Sequence, residues 1–245
     1  MASTAIESSP QKYARLGGIA YLIIIVAGVL GELYVRETLV VSGDATATAR
    51  NIMDSPLLWR AGIAGDLLMH ICDVLLMLVL YVLLRPVSRS LALLGLLFHA
   101  VSTAVLVINK LNMLVPLLML GDADYLKAID SAQAHALAYV AIRTHAHGFN
   151  FGLIFFGFAC VVRGYLIHRS GYLPKVLGVL LVVAGACYVF NSFAVILAPS
   201  FSSNLFPWIL LPSFVAELAL ALWLVVKGVD MAQWNARALG PASWS

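Results

Sequence analysis

The chain predicts an all-α fold: a polytopic integral membrane bundle of six transmembrane helices with both termini cytoplasmic. Three observations lead there. Of 245 residues, 62% are hydrophobic and only 11% are charged, whereas an ordinary soluble domain is roughly 25% charged. Six stretches are apolar for long enough to cross a hydrocarbon core, which takes about 20 residues. Basic residues gather on alternate connections between those stretches. So few charges cannot cover a globule of this size, which excludes a soluble domain, a disordered chain and a fibrous repeat. With 15 Lys+Arg against 12 Asp+Glu, the charge balance describes no nucleic-acid-binding face.

Each stretch must be helical, because lipid offers the backbone no hydrogen-bond partners. Span one, 16–35, follows a short polar segment and has no Ala-x-Ala-like cleavage site behind it, so it reads as a retained span. Residues 37–58 form a loop containing a short helix that Asp44 is placed to cap. Span two covers 60–84 and stops at Arg85-Pro86; span three covers 90–118. Residues 121–144 are a turn and an alanine-rich helix starting near Asp130, which either lies at the interface or extends span four, 145–167. Gly171 and Pro174 break the chain before span five, 174–197. A short uncharged connection leads to span six, 206–227, where Pro212 is expected to weaken the helix one turn before Glu217. The membrane domain is then 15–228, flanked by an N-terminal segment, 1–14, and a tail, 229–245.

The Lys/Arg census sets the orientation. On the side of the termini lie Lys12, Arg15, Arg85, Arg89, Arg163, Arg169, Lys175, Lys227 and Arg237, with only Glu7 and Asp230 as acids. The other side holds five basic residues and six acids. The bias puts both termini in the cytoplasm, as an even number of spans requires. A bacterial inner membrane is the expected location. Cys72, Cys160 and Cys187 all sit in apolar stretches and read as packing residues.

Ionisable side chains inside a bilayer are costly and normally face the bundle interior. Span two carries Asp66, His70 and Asp73, which fall within about 60° on one helix face. A carboxylate, an imidazole and a second carboxylate in one stripe suit a divalent metal or a proton relay; a polar seam between helices is the structural reading of the same stripe. Span four opens with His145 and His147, which point apart on a straight helix. His147 shares a face with Asn150 and is the better interior candidate; His145 is expected at the interface. Span three carries His99, Ser102, Thr103 and Lys110 on one stripe, with Asn109 and Asn112 nearby. Lys110 either snorkels to the headgroups or pairs with a carboxylate. Glu32, Asn191 and Glu217 complete the set. Glu32, Asp66, His70, Asn109, His147, Asn150 and Asn191 all fall in the outer half of the membrane. This predicts a polar pocket opening outward, lined by spans one to five, with Asp66 and His70 at its base.

Five segments carry a family likeness: Ala14-Arg15-Leu16, Asp66-Leu-Leu-x-His70-x-Cys72-Asp73, Tyr81-Val-Leu-Leu-Arg85-Pro86-Val87, Arg169-Ser-Gly-Tyr-Leu-Pro-Lys-Val-Leu-Gly178 and Glu217 to Gly228. In these the chain resembles a bacterial family of multi-span membrane proteins, domain of unknown function 4386, over roughly residues 12–230. The resemblance implies a polytopic bacterial membrane protein. It brings no reaction, ligand or site.

Three classes of function remain open on the sequence. A membrane-embedded metal site or enzyme would use Asp66, His70 and His147 as metal ligands, with Asp73 as a further acid/base group; a haem would need His70 paired with His147. A proton-coupled transporter of small molecules would use Asp66, Asp73 and Glu217. A faint similarity between Tyr81-x-x-x-Arg85 and Tyr165-x-x-x-Arg169 favours this plan of repeated halves. A non-catalytic sensor would bind a lipid or another membrane protein, itself included as a homo-oligomer.

Overall fold

The computed structural model describes residues 9–205 and 207–239, so the outer parts of the two terminal segments lie outside it. Among the described residues the secondary structure is helical, without strands. Apart from a short 3-10 helix at Asp124–Ala128, nine helices account for it: α1 (Pro10–Leu39), α2 (Ala45–Asp54), α3 (Pro56–Leu84), α4 (Arg89–Met119), α5 (Ser131–Ser170), α6 (Lys175–Leu197), α7 (Pro199–Leu205), α8 (Trp208–Val226) and α9 (Met231–Leu239). Six of them, α1, α3, α4, α5, α6 and α8, are long and apolar enough to cross a membrane. They correspond to the six expected spans. Several run past the hydrocarbon limits, because a helix whose ends protrude into water keeps its internal hydrogen bonds.

The most extended case is α5. Its 40 residues make about 60 Å of helix, and 131–144 therefore lengthen span four instead of lying along the interface. Asp130 caps it, accepting from the Gln133 N–H at 2.9 Å. Asp44 caps α2 in the same way, accepting from Ala47 at 2.8 Å. One expectation fails. Pro212 lies in the first turn of the α-helical part of α8, where a missing N–H costs nothing, so it starts that helix and frees no carbonyl beside Glu217.

The spans form a closed ring in chain order. Each packs mainly on its sequence neighbours, α1 on α3, α3 on α4, α4 on α5 and α5 on α6, and α8 closes the circle against both α6 and α1. Outward faces carry bare apolar side chains such as Val26, Ile71, Ile108 and Phe190, the surface a lipid solvent demands. The ring's interior has two apolar layers. Near the termini, Leu76, Leu80, Leu83, Leu166, Ile167, Leu220 and Leu224 pack together. At the opposite end a smaller cluster joins Val35, Leu39, Ile52, Trp59, Ile63, Met113 and Ile142. Its centre is Trp59, whose indole N–H donates to the Met113 carbonyl at 2.8 Å. The polar side chains lie between the two layers.

Candidate functional site

Two centres, not one pocket, occupy the interior. The first lies towards the end opposite the termini. Asp66 on α3 is 1% exposed, and its Oδ2 accepts from Lys110 Nζ on α4 and from Arg36 on α1, each at 2.8 Å. Lys110 also donates to His145 Nε2 on α5 at 3.1 Å. Arg36 reaches back to Glu32, whose side chain is 57% exposed. Two carboxylates thus face two cations across three helices, with His145 of α5 beside them, which lets charges leave water without a net uncompensated charge.

Local backbone geometry makes this meeting happen. From Leu30 to Arg36 α1 widens into a π-helix, and Glu37 N–H bonds to the Glu32 carbonyl. One inserted residue rotates everything after it, a device common at functional sites, and here Arg36 arrives on the face that meets Asp66. Gly31 stands at the contact: a Cβ there would lie 2.9 Å from Asp66 Oδ1 and 3.4 Å from an Arg36 nitrogen. Only glycine lets α1 come so close to the carboxylate.

The second centre is deeper. Asp73 lies two turns further along α3 than Asp66, about 18 Å of helix from Arg85. His70 Nδ1 is 3.0 Å from its Oδ2, and His99 Nε2 on α4 is 3.5 Å from its Oδ1. All three residues are buried. The second nitrogen of each ring, His70 Nε2 and His99 Nδ1, is buried without a partner among the described residues. His99 stacks edge-on against Phe156, and Phe156 against Tyr188. Tyr188 OH donates to Glu217 on α8. Arg163 on α5 is buried beside this group, with one terminal nitrogen unpartnered.

The stripe Asp66–His70–Asp73 is therefore divided, Asp66 serving the first centre while His70 and Asp73 form the second. The two histidines of span four exchange the places expected of them: His145 is buried and His147 is exposed. Starting α5 fourteen residues before His145 fixes a helical phase that the span, taken from residue 145, does not contain. Asp66, His70 and His147 consequently do not converge, and neither does a His70–His147 haem pair. Among the described residues, no three His, Cys, Asp or Glu side chains are grouped to hold a metal ion. Asn109 is spent on packing, donating to the His145 carbonyl at 2.9 Å and accepting from Asn112 at 3.0 Å. Asn191 donates to Asn150 at 3.4 Å between α6 and α5. Lys110 takes the paired alternative. Arg36, Tyr188 and Arg163 were missed as site residues; the spacing of Glu32 and Arg36, four apart, was the available signal for the first.

The expected outward mouth is covered. Trp59, Ile63, Met113 and Ile142 form their apolar cluster a turn or two beyond Asp66, Lys110 and His145, and α2 closes over it through Ile52. The Gly43 N–H bonds Tyr139 OH at 2.7 Å and fixes that loop to α5. From Asp66 the polar groups continue sideways through Arg36 to the exposed Glu32.

The sequence model described as Domain of unknown function (DUF4386) matches residues 16–228. The chain belongs to the DUF4386 family. The match takes in all six spans of the ring and both polar centres, and it ends before α9. A relative from Archaeoglobus fulgidus, an uncharacterized protein, is 28% identical over 173 residues, which is 70% of this chain and 86% of the relative. No solved structure matches the chain. DUF4386 membership and the six apolar helices make this a multi-pass membrane protein whose activity must be argued from the residues.

Proposed function

We propose that this protein is a proton-coupled carrier of a small solute, with Asp73 as the carboxylate that takes up and releases the proton. The observation behind this reading is the His70–Asp73–His99 triad in the middle of the bundle. Packing needs no such arrangement, since serine or asparagine would join the helices at lower desolvation cost. A carboxylate with an imidazole on each oxygen can pass a proton to either side, and each imidazole keeps a second nitrogen for the next transfer. Arg163, buried with a terminal nitrogen unpartnered, is the cation nearby that can balance a carboxylate left ionised in this interior. The Asp66–Lys110–Arg36 pairs act as a closure above the triad, and Glu32 marks the side from which they are reached.

In this reading the basic residues near the termini put those ends in the cytoplasm, the membrane is a prokaryotic plasma membrane, and Asp66 faces the outer leaflet. Residues 15–228 are the carrier, with 1–14 and 229–245 as cytoplasmic extensions. Asn109, Asn150 and Asn191 hold helices together beside the path.

The test uses pyranine-loaded proteoliposomes under an imposed pH gradient, with amino acids, sugars and organic cations offered in turn. Wild type should acidify the lumen faster with one of these solutes, and Asp73→Asn should abolish that increment while still folding. Solute-independent traces identical in wild type, Asp73→Asn and His99→Ala across the whole panel would overturn the reading.

A further inference from the structure

At the end of the bundle carrying both termini, the turn from α5 to α6 and the helix α9 surround a hollow of about 390 Å³, lined by His168, Arg169, Gly171, Lys175 and Arg237. Four of these are basic and none is acidic. Among the described residues, none of the four basic side chains has a hydrogen bond or an ion pair.

The frame around the hollow is fixed. Trp234 of α9 is buried and donates to the Leu83 carbonyl at 3.3 Å. Tyr172 OH donates to that same carbonyl at 2.6 Å, and the Asp230 N–H donates to the Tyr172 carbonyl at 3.1 Å. Gly171 holds φ at +81°, a left-handed value that glycine adopts without strain. Folding therefore carries Arg237 back onto a turn that already holds Arg169 and Lys175. Helix dipoles account for part of this, since His168 and Arg169 end α5 and Arg237 lies in the last turn of α9. They do not account for Lys175, which opens α6 at the end where the dipole repels a cation. Like charges gathered in this way call for an anion.

We propose that the hollow holds the phosphodiester of an anionic phospholipid headgroup from the adjoining leaflet. Basic pockets between membrane helices take such headgroups, and arginine forks match phosphate oxygens in pairs. A lipid fits the position better than soluble phosphate does. The hollow sits where α5 ends and α6 begins, next to outward-facing Tyr165 and Val176, 48% and 60% exposed.

The experiment follows the melting of the full-length protein in phosphatidylcholine nanodiscs as phosphatidylglycerol is introduced, with inorganic phosphate as the soluble arm. Wild type should be stabilised saturably by phosphatidylglycerol and unmoved by phosphate. Arg169→Gln/Arg237→Gln should weaken the apparent affinity on the order of twentyfold, about fivefold for each cation. Arg143→Gln, exposed at the other end of the bundle, should leave it unchanged. If the double variant does not fold, Lys175→Gln alone should show the fivefold loss. The proposal is overturned if wild type does not prefer phosphatidylglycerol, if the variants titrate like wild type, or if phosphate alone produces the whole shift.

Discussion

Lys110 and Asp66, 44 residues apart in the chain, are joined by a 2.8 Å ion pair buried between α4 and α3. The pair is one arm of a four-helix cluster, and the cluster's asymmetry makes a specific prediction. Lys110→Met leaves Asp66 its Arg36 partner, whereas Asp66→Asn leaves a buried ammonium with only His145. Removing one member of a buried pair costs about 3–5 kcal/mol. Asp66→Asn should lie at the upper end of that range and Lys110→Met at the lower end. The double variant should cost clearly less than their sum. Equilibrium unfolding in mixed micelles measures all three, and a strictly additive cycle would contradict the pairing.

His145 and His147 differ by two positions and should differ sharply in consequence. His145→Ala removes the acceptor of a Lys110 hydrogen bond inside the bundle and should cost about 1–3 kcal/mol. His147 is exposed, so His147→Ala should fall within about 0.5 kcal/mol of wild type. Parallel thermal melts in one detergent decide the matter. Equal losses would mean that the phase of α5 is wrong.

Tyr172 supplies a pH dependence outside the spans. Burial pushes its phenol above the ordinary tyrosine value, with Arg237 pulling the other way. The folded state therefore favours the protonated phenol, which donates to the Leu83 carbonyl. That stabilisation is fully present below the unfolded value of about 10 and is lost as pH rises through the higher folded value. Melting temperature should fall in alkaline buffer, and the fall should be shallower in Tyr172→Phe, which lacks the ionisable group. Identical alkaline slopes for the two proteins would rule this out.

Much of the architecture could be read before any coordinates, because each part of it depends on one segment at a time. A run such as 60–84 is apolar along its whole length, lipid leaves it no conformation except a helix, and Asp44 and Asp130 mark helix starts through the N–H groups they can accept. The interior was less legible. Asp66 and Asp73 were visible as expensive residues in a membrane, and their burial follows from that cost. Their partners were not visible. Arg36 lies just past the apolar limit of span one, and only the π-helical turn in α1 brings it round to Asp66; Lys110 has two equally sensible destinations.

The sequence by itself determined the number of membrane-spanning helices, their approximate limits, and which side chains could not be left facing lipid. The tertiary structure alone decided how those side chains are shared: Asp66 with Lys110 and Arg36, Asp73 with His70 and His99, Glu217 with Tyr188. The physical reason is that burial is a cost each residue carries individually, whereas pairing depends on the rotation of every helix about its axis. That rotation is set by where a helix starts, by a single inserted residue in α1, and by the closure of α8 onto α1, none of which is a property of one segment alone.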